Sequence, residues 1–558
     1  MKTTCAAVLS ALICLTAVAQ TLDDATMTWE NVVTGLSLPT SFEFIDESNP
    51  NEFWVTEKNT GRVRHVRNGV IGNTVLDLPV ATAADRGLLS LVKSPDFNQT
   101  GHVFVFYSFA IADGGAWIEN RIERYTWNGT AMVDPVIIWS TPFDPSQPNG
   151  DWHQGGVLLF GPDRKLYFPT GDLHRGRLDN GRIEQNTHGS AVAGVGGILR
   201  LNPDGTTPDD NPFADHANEA IRRMWVYGLR NCFGMAFDSL TGLLWFTENG
   251  PDKYDEINIA RKGLNSGWLK IVGPDSRNAI YFENNNTAYN AADLTMLPGA
   301  IYRDPEFSWV EPIGPITMLF LRSQRFDANW RDHAIFDDSN HSELYRLLMN
   351  NERDGFALTG GLADKVADHG GERLLLKVGT GFWTCTDSEI GADGYAYLLS
   401  LAHGRVIRLR PVNPPTVING RIELTNYVGS MIGVPLTIEL RQGQTVVETL
   451  NTTLDVWGKF SVRVAAPGNY TAYVKPSKWL ANKILGVSLT SGGYAYLKFA
   501  SGSNGDVNGD NIVDDSDLGA VLEAFGTDNA AADLNGDGIV DDTDLSIVLE
   551  AFGLQGED

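Results

Sequence analysis

Two groups of residues in this sequence have types and spacings that could do chemistry. In the central region, Asp151-Trp152-His153-Gln154-Gly155-Gly156, Gly171-Asp172, Tyr227-Gly-Leu-Arg230-Asn231 and Glu248-Asn249-Gly250-Pro251 interrupt apolar stretches. A histidine oriented by a carboxylate can act as a general base, and an arginine can stabilise developing negative charge. The same residue types also cap turns and lock strands, so on composition alone a scaffold role for His153, Asp172 and Arg230 stands beside a catalytic one. Near the C-terminus, Asp506-x-Asn508-x-Asp510-x-Ile512-x-Asp514-x-x-Asp517 and Asp533-x-Asn535-x-Asp537-x-Ile539-x-Asp541-x-x-Asp544 put oxygen donors at loop positions 1, 3, 5, 9 and 12, with the backbone carbonyls of Ile512 and Ile539 at position 7. That spacing suits Ca²⁺, a hard cation that takes oxygen ligands. Each loop runs into a helical apolar pattern, Leu518, Val521, Leu522, Phe525 and Leu545, Val548, Leu549, Phe552, closed by Gly526 or Gly553. A solvated acidic tail has no reason to repeat ligand spacing and helix register together, so two Ca²⁺ sites are expected here.

The elements that must position these groups come from the rest of the chain. Its 558 residues are enough for several domains, and 42% hydrophobic with 10% aromatic residues is enough for packed cores. With 43 basic against 69 acidic side chains the net charge is −26, which argues against nucleic-acid or anionic-membrane partners. Residues 504–558 hold 15 of the acidic side chains and none of the basic ones, so the tail is a separate chemical object. Lys2, the apolar stretch Ala6 to Val18 and Ala17-Val18-Ala19 read as an export signal over 1–19, with a mature chain from about Gln20. No other apolar run approaches the roughly 18 residues that span a bilayer. A soluble protein exported to the periplasm or beyond the cell is expected. Cys5 and Cys14 leave with the signal; Cys232 and Cys385 remain, as one long-range disulfide or two buried thiols.

Over 20–412 a phrase of short strands and Gly, Pro, Asn or Asp turns recurs, with clear versions at Leu158–Phe168, Met235–Phe246 and Asp387–Tyr397. Arg64, Arg124, Arg200, Asn258, Arg346 and Arg408 occupy matching places, at spacings of 60, 76, 58, 88 and 62. Packing such units radially buries the edges and faces that each leaves open. The fold class is therefore all-β: a six-bladed β-propeller, then a β-sandwich, then a small helical calcium-binding pair. Longer insertions, Asp172 to Val195 and Asp275 to Thr295, are expected to form loops around one mouth of the channel.

Roughly residues 30–412 resemble the pyrroloquinoline quinone (PQQ) dependent glucose/sorbosone dehydrogenases. The motifs are Gly87-Leu-Leu-Ser-Leu, Ser94-Pro-Asp-Phe97, His153-Gln-Gly-Gly, Phe160-Gly-Pro-Asp163, Leu166-Tyr-Phe-Pro-Thr-Gly-Asp172, Gly197-Ile-Leu-Arg-Leu-Asn-Pro-Asp-Gly205, Tyr227-Gly-Leu-Arg-Asn231, Thr247-Glu-Asn-Gly-Pro251, Asp255-Glu-Ile-Asn258 and Asn265-Ser-Gly-Trp268. The resemblance implies oxidation of an aldose or oligosaccharide at C1. His153 would take the hydroxyl proton, Asp172 would orient it, Arg230 and Asn231 would contact the cofactor, and the carbonyls of Gly250 and Pro251 would hold a Ca²⁺. Asp85 stands where family members carry Gln or Glu at the cofactor. Where the family places a Lys and two Arg on the cofactor's carboxylates, this chain has Asn340, Thr384 and Thr386. Losing such charge-assisted bonds costs about 1.5–3 kcal/mol each. Lys253, Arg303, His341 and Lys377 are the candidates to compensate. The electron acceptor is not identified. Two other classes stay open, a metal-dependent lactonase and a non-catalytic glycan- or protein-binding propeller.

After Arg410-Pro-Val-Asn-Pro-Pro415, a short stiff linker by composition, residues 413–502 read as about seven strands of a sandwich, with Leu436–Arg441, Thr445–Leu450, Lys459–Val464 and Ala466–Tyr473 the clearest runs. This segment resembles carboxypeptidase-regulatory-like sandwiches and has no catalytic constellation, so a spacer is expected, with a carbohydrate-binding role kept open by Trp457, Tyr470, Tyr473 and Trp479. The duplicated loop–helix of 503–558 resembles a type I dockerin, a bacterial module that docks onto cohesins. Position 12 is Asp rather than the Glu of sensor EF-hands, while of positions 10 and 11 (Asp515-Ser516 and Asp542-Thr543) only position 11 matches the usual small hydroxyl residues. A cohesin-type protein or a cell-surface scaffold is the implied partner.

Overall fold

The computed structural model describes residues 19–141, 150–173, 194–278 and 289–557. Most of the export signal and of the insertions at 174–193 and 279–288 lie outside the described residues. Among the described residues no helix is long and apolar enough to cross a membrane.

Six sheets correspond to the six repeats, antiparallel except for parallel pairings at the outer edges of the third and fourth. Their innermost strands are Pro39–Phe44, Leu88–Lys93, Leu159–Phe160, Met235–Phe237, Pro315–Phe320 and Cys385–Ile390. The recurring position, Arg in five blades and Asn258 in the fourth, falls on the third strand of every blade. Its use is visible in blades three and six. Asp163 accepts from the Tyr167 hydroxyl at 2.8 Å and from Arg200 at 2.9 Å, and Asp393 accepts from the Tyr397 hydroxyl at 2.8 Å and from Arg408 at 2.9 Å. One arginine thus ties the turn before the second strand to that strand. Six apolar clusters fill the seams between adjacent blades. Met27–Thr34 pairs antiparallel with Arg405–Pro411, so the chain's beginning supplies the outer strand of the last blade and closes the ring.

Cys232 and Cys385 are free and buried, and burial pushes both thiols well above their usual range. The choice left open by sequence resolves to two buried thiols.

Residues 417–500 form seven strands in two sheets. Val417–Glu423 lies between Lys459–Arg463 and Tyr494–Ala500, while Pro435–Gln442 and Gly468–Pro476 are flanked by Thr445–Thr453 and Asn482–Leu489. Ile418, Ile438, Leu440, Phe460, Val474 and Trp479 pack between the sheets. The Pro-rich joint does not hold this unit away from the propeller. Arg325, 1% exposed, donates to the carbonyls of Asp393 (2.7 Å), Pro415 (2.5 Å) and Gly492 (2.8 Å). The Asn419 amide donates to Ala392 O at 2.9 Å, and the Val456 N–H to Ser239 O at 2.9 Å. Between the two bodies lies a chamber of about 980 Å³, lined by the far ends of the innermost strands and by Arg421, Asp455, Trp457, Lys459, Tyr496 and Lys498.

The tail forms two helices, Asp515–Ala524 and Asp542–Ala551. Each starts in a capping box, Asp514 with Asp517 and Asp541 with Asp544. Gly526 and Gly553 follow at φ 78° and 82°, a left-handed stop.

Candidate functional site

Inner strands enter from one mouth of the propeller and run toward the sandwich, so the loops that precede them cluster at the other end. His153 lies in the loop before the third inner strand, with φ 60°, a strained left-handed backbone for a residue with a Cβ. Two glycines let this loop lie against the end of the Leu166–Thr170 strand. A Cβ on Gly155 would stand 2.4 Å from Pro169 O, and one on Gly171 would stand 2.3 Å from His153 O. The approach brings His153 Nδ1 to 2.5 Å from Asp172 Oδ1. A carboxylate only accepts, so Nδ1 is the donor of this bond, and in the neutral ring Nε2 is the basic nitrogen. Trp268 Nε1 donates to the other Asp172 oxygen at 3.1 Å and fixes the carboxylate plane. Asp85 accepts the His153 backbone N–H at 2.7 Å.

Arg230 joins the third and fourth blades at the same mouth. Its carbonyl accepts the Asp172 N–H at 2.8 Å, its own N–H donates to Glu248 at 2.7 Å, and its guanidinium donates to Asn249 O at 2.8 Å, 5.7 Å from the Trp268 ring centroid. Asn231, 3% exposed, has an Oδ1 with no hydrogen-bond partner among the described residues. The Gly250–Tyr254 turn is held by Asp255, which accepts N–H groups from Gly250 at 2.7 Å and from Gly314 at 2.6 Å. A Cβ at Gly250 would meet Tyr254 O at 2.3 Å and Lys253 O at 2.4 Å, so the turn closes tightly only with glycine there. Burial pushes Asp255 up to about 6. It pushes Glu248 well up, with the neighbouring Glu256 adding to the effect.

Sequence reasoning missed Lys58. It is 5% exposed and donates to Ala84 O and Arg86 O at 2.7 Å each; burial brings it down to about 8 while Asp85 opposes the shift. Burial pushes Asp85 up, against the His153 N–H and the charges of His153, Lys58 and Arg230. No local signal marks Lys58, because its neighbours come from blade two. The neutral residues in the family's cationic places are occupied otherwise. Asn340 donates to Pro312 O at 2.9 Å and Thr386 to Pro39 O at 3.1 Å, while Thr384 adopts φ 51°. Lys377 does not replace them: on the outer strand of blade five, it pairs with Asp23 at 2.9 Å. His341 bonds Asp338 at 2.8 Å, Arg303 is exposed beyond an outer strand, and Lys253 is exposed on the Gly250–Tyr254 turn. His153, Arg230 and Asn231 are thus the residues that would serve the reacting end of a quinone cofactor, while Asn340, Thr384 and Thr386 would offer no charge to its carboxylates.

In the tail, the carboxylates of Asp506, Asp517 and Asp544 are fully buried and Asp533 is 8% exposed. Asp506 accepts the N–H groups of Gly509 and Asn511 at 2.8 and 2.9 Å, and Asp533 those of Gly536 and Gly538 at 2.8 and 3.0 Å. Buried carboxylates in such number call for a cation. Among the described residues no three Asp, Glu, His or Cys side chains cluster tightly enough to hold a metal alone, so amide and backbone oxygens must complete each set, as the loop spacing provides.

The signature described as Glucose / Sorbosone dehydrogenase matches residues 36–408, and that described as Dockerin type I domain matches 504–552. This chain belongs to the glucose/sorbosone dehydrogenase family. Among its relatives, quinoprotein glucose dehydrogenase B of Acinetobacter calcoaceticus is 31% identical over 260 residues, covering 43% of this chain and 52% of that protein. Aldose sugar dehydrogenase YliI of Escherichia coli (strain K12) is 27% identical over 332 residues, 59% and 78% of the two chains. The soluble aldose sugar dehydrogenase of Escherichia coli in its apo form shares the propeller fold, with a TM-score of 0.51 at 22% identity, over 69% of this chain and all of that one (100%). This member of the family thus joins its propeller to a type I dockerin.

Proposed function

We propose that the propeller oxidises an aldose, or the reducing end of an oligosaccharide, at C1, and that the tail attaches it to a cohesin-type partner outside a bacterial cell. The observation that carries the reading is the His153–Asp172 pair, which sets Nδ1 as the donor and joins the Arg230 backbone through the Asp172 N–H. His153 Nε2 would take the proton of the C1 hydroxyl, and Asp172 would stabilise the imidazolium that results. Arg230 and Asn231 would orient the cofactor, and the carbonyls at Gly250 and Pro251 would hold its Ca²⁺. A bound quinone would supply the two-electron acceptor for the C1 hydride.

Titration of the purified protein with PQQ and Ca²⁺, then a sugar panel with an artificial electron acceptor, tests this. Saturable binding with sugar-dependent dye reduction is expected, reduced by about 10²–10⁴ in His153→Ala. Absence of binding at micromolar PQQ would overturn the dehydrogenase reading. The neutral Asn340, Thr384 and Thr386 favour a second one, in which the mouth binds glycan without oxidising it; sugar binding without dye reduction would identify it.

A further inference from the structure

The two calcium loops are almost copies of one another in structure as in sequence. Asp517 accepts the N–H groups of Val507, Asn508 and Asp514 at 2.7, 3.1 and 2.9 Å, and Asp544 accepts those of Leu534, Asn535 and Asp541 at 2.7, 3.0 and 2.9 Å. The Asn508 amide reaches Asp510 at 3.0 Å and the Asn535 amide reaches Asp537 at 2.9 Å. What separates the loops is how the sandwich touches them.

In the first loop a lysine of the sandwich lies on the position 1 carboxylate. Lys475, near the end of the Gly468–Pro476 strand, puts Nζ 2.7 Å from Asp506 Oδ2. Lys478 instead donates to the backbone carbonyls of Ala530, just before the second loop, at 2.5 Å and of Asp533 at 2.6 Å; its charge reaches Asp533 and Asp544 through space, while the hydrogen bonds to the Asp533 carboxylate come from the N–H groups of Gly536 and Gly538. At position 6 the first loop has Asn511 at φ 73°, where the second has Gly538 at φ 98°. A non-glycine residue tolerates that backbone poorly, and here the Asn511 Oδ1 accepts the Ala481 N–H of the sandwich at 2.8 Å, while its carbonyl accepts the Gly556 N–H at 2.9 Å. Leu480 of the sandwich also belongs to the apolar cluster of both helices, with Val513, Val521, Leu534, Val540 and Val548.

We infer that the sandwich makes the two calcium sites unequal: Lys475 is a built-in counter-cation for Asp506, so the first loop is held in shape without an ion and binds Ca²⁺ more weakly than the second. The inference rests on the calcium reading of the tail and adds a residue outside the dockerin to it. A unit positive charge a few ångströms from a divalent ion, in a partly solvated site, opposes binding by a factor of roughly 3 to 10 per site.

The test is calorimetric titration of the whole EDTA-stripped chain with Ca²⁺, in wild type, Asp506→Asn, Asp533→Asn and Lys475→Met. Asp533→Asn should remove the tighter tail step and Asp506→Asn the weaker. Lys475→Met should tighten the weaker step roughly 3- to 10-fold and leave the other unchanged. Lys475→Arg, which keeps the charge, should behave as wild type. Loss of the weaker step in Asp533→Asn would overturn the inference, as would unchanged affinities in Lys475→Met. Loss of no step in either Asp variant would overturn the calcium reading itself. Where circular dichroism shows Lys475→Met unfolded, Lys475→Gln takes its place, and the two Asp variants decide the order of the sites independently of either.

Discussion

Asp172 is the residue on which the candidate chemistry turns, because its bond to Nδ1 sets which nitrogen of His153 is basic. In Asp172→Asn, the amide can present its NH₂ to Nδ1 and invert the tautomer. We expect the rate of dye reduction to fall by about 10²–10⁴, with PQQ affinity within about twofold of wild type, read by single-turnover kinetics and cofactor titration. A second prediction concerns Asp387, at the far end of the channel. Burial pushes it up to about 6, although the Phe42 N–H, the Ser41 hydroxyl and the Ser388 N–H work against that shift. A raised carboxyl favours the folded state while protonated, so its contribution is full below about pH 4 and is lost as pH rises through 6. Asp387→Asn stays neutral throughout. Its stability relative to wild type should therefore rise by up to about 3 kcal/mol between pH 4 and 7 in urea titrations, and a flat difference would contradict the shift.

At the scale of elements, the site depends on close approach between a loop and the end of a strand. Gly171→Ala puts a Cβ 2.3 Å from a backbone oxygen, which cannot swing away as a side chain can. Dye reduction in this variant is expected to drop toward the His153→Ala level while far-ultraviolet circular dichroism stays native. Much of the element pattern was legible from sequence. The six strand–turn phrases and their basic third strands are local, and so are the loop–helix pairs of the tail, whose ligands come from twelve consecutive residues each. The outer strand Met27–Thr34 was not legible. Its partner Arg405–Pro411 is more than 370 residues away in sequence, and nothing in its composition says which edge it fills.

For the whole molecule, the sandwich is a cap fixed to the propeller face opposite the mouth. Glu47 lies at the seam, 2.6 Å from Lys498 and 3.3 Å from Arg421. Burial pushes its carboxyl up, but Arg421, Lys459 and Lys498 together bring it down to about 2. A lowered carboxylate stabilises the fold fully above about pH 4.5 and loses that contribution as pH falls toward 2. Glu47→Gln should therefore melt below wild type at pH 7 and converge with it as pH approaches 2. Because the dockerin sits on the sandwich, a partner bound to the tail would leave the loop-lined mouth of the propeller open. Sugar kinetics should be the same with and without a bound cohesin.

By itself the sequence determined the repeat number and the two loop–helix units of the tail, because each is written in short-range periodicity or in donors a few residues apart. Its motifs also pointed to His153, Asp172 and Arg230. Tertiary structure decided how those residues meet: Asp85 reaches His153 from 68 positions away, Trp268 reaches Asp172 from 96, and Lys58 is buried among carbonyls of another blade. It also decided that both cysteines stay free, that the predicted spacer is a docked cap, and that Lys475 belongs to a calcium loop. These are contacts between segments distant along the chain. Their partners are chosen by ring closure and by which faces are buried together, and no window of local sequence carries that information.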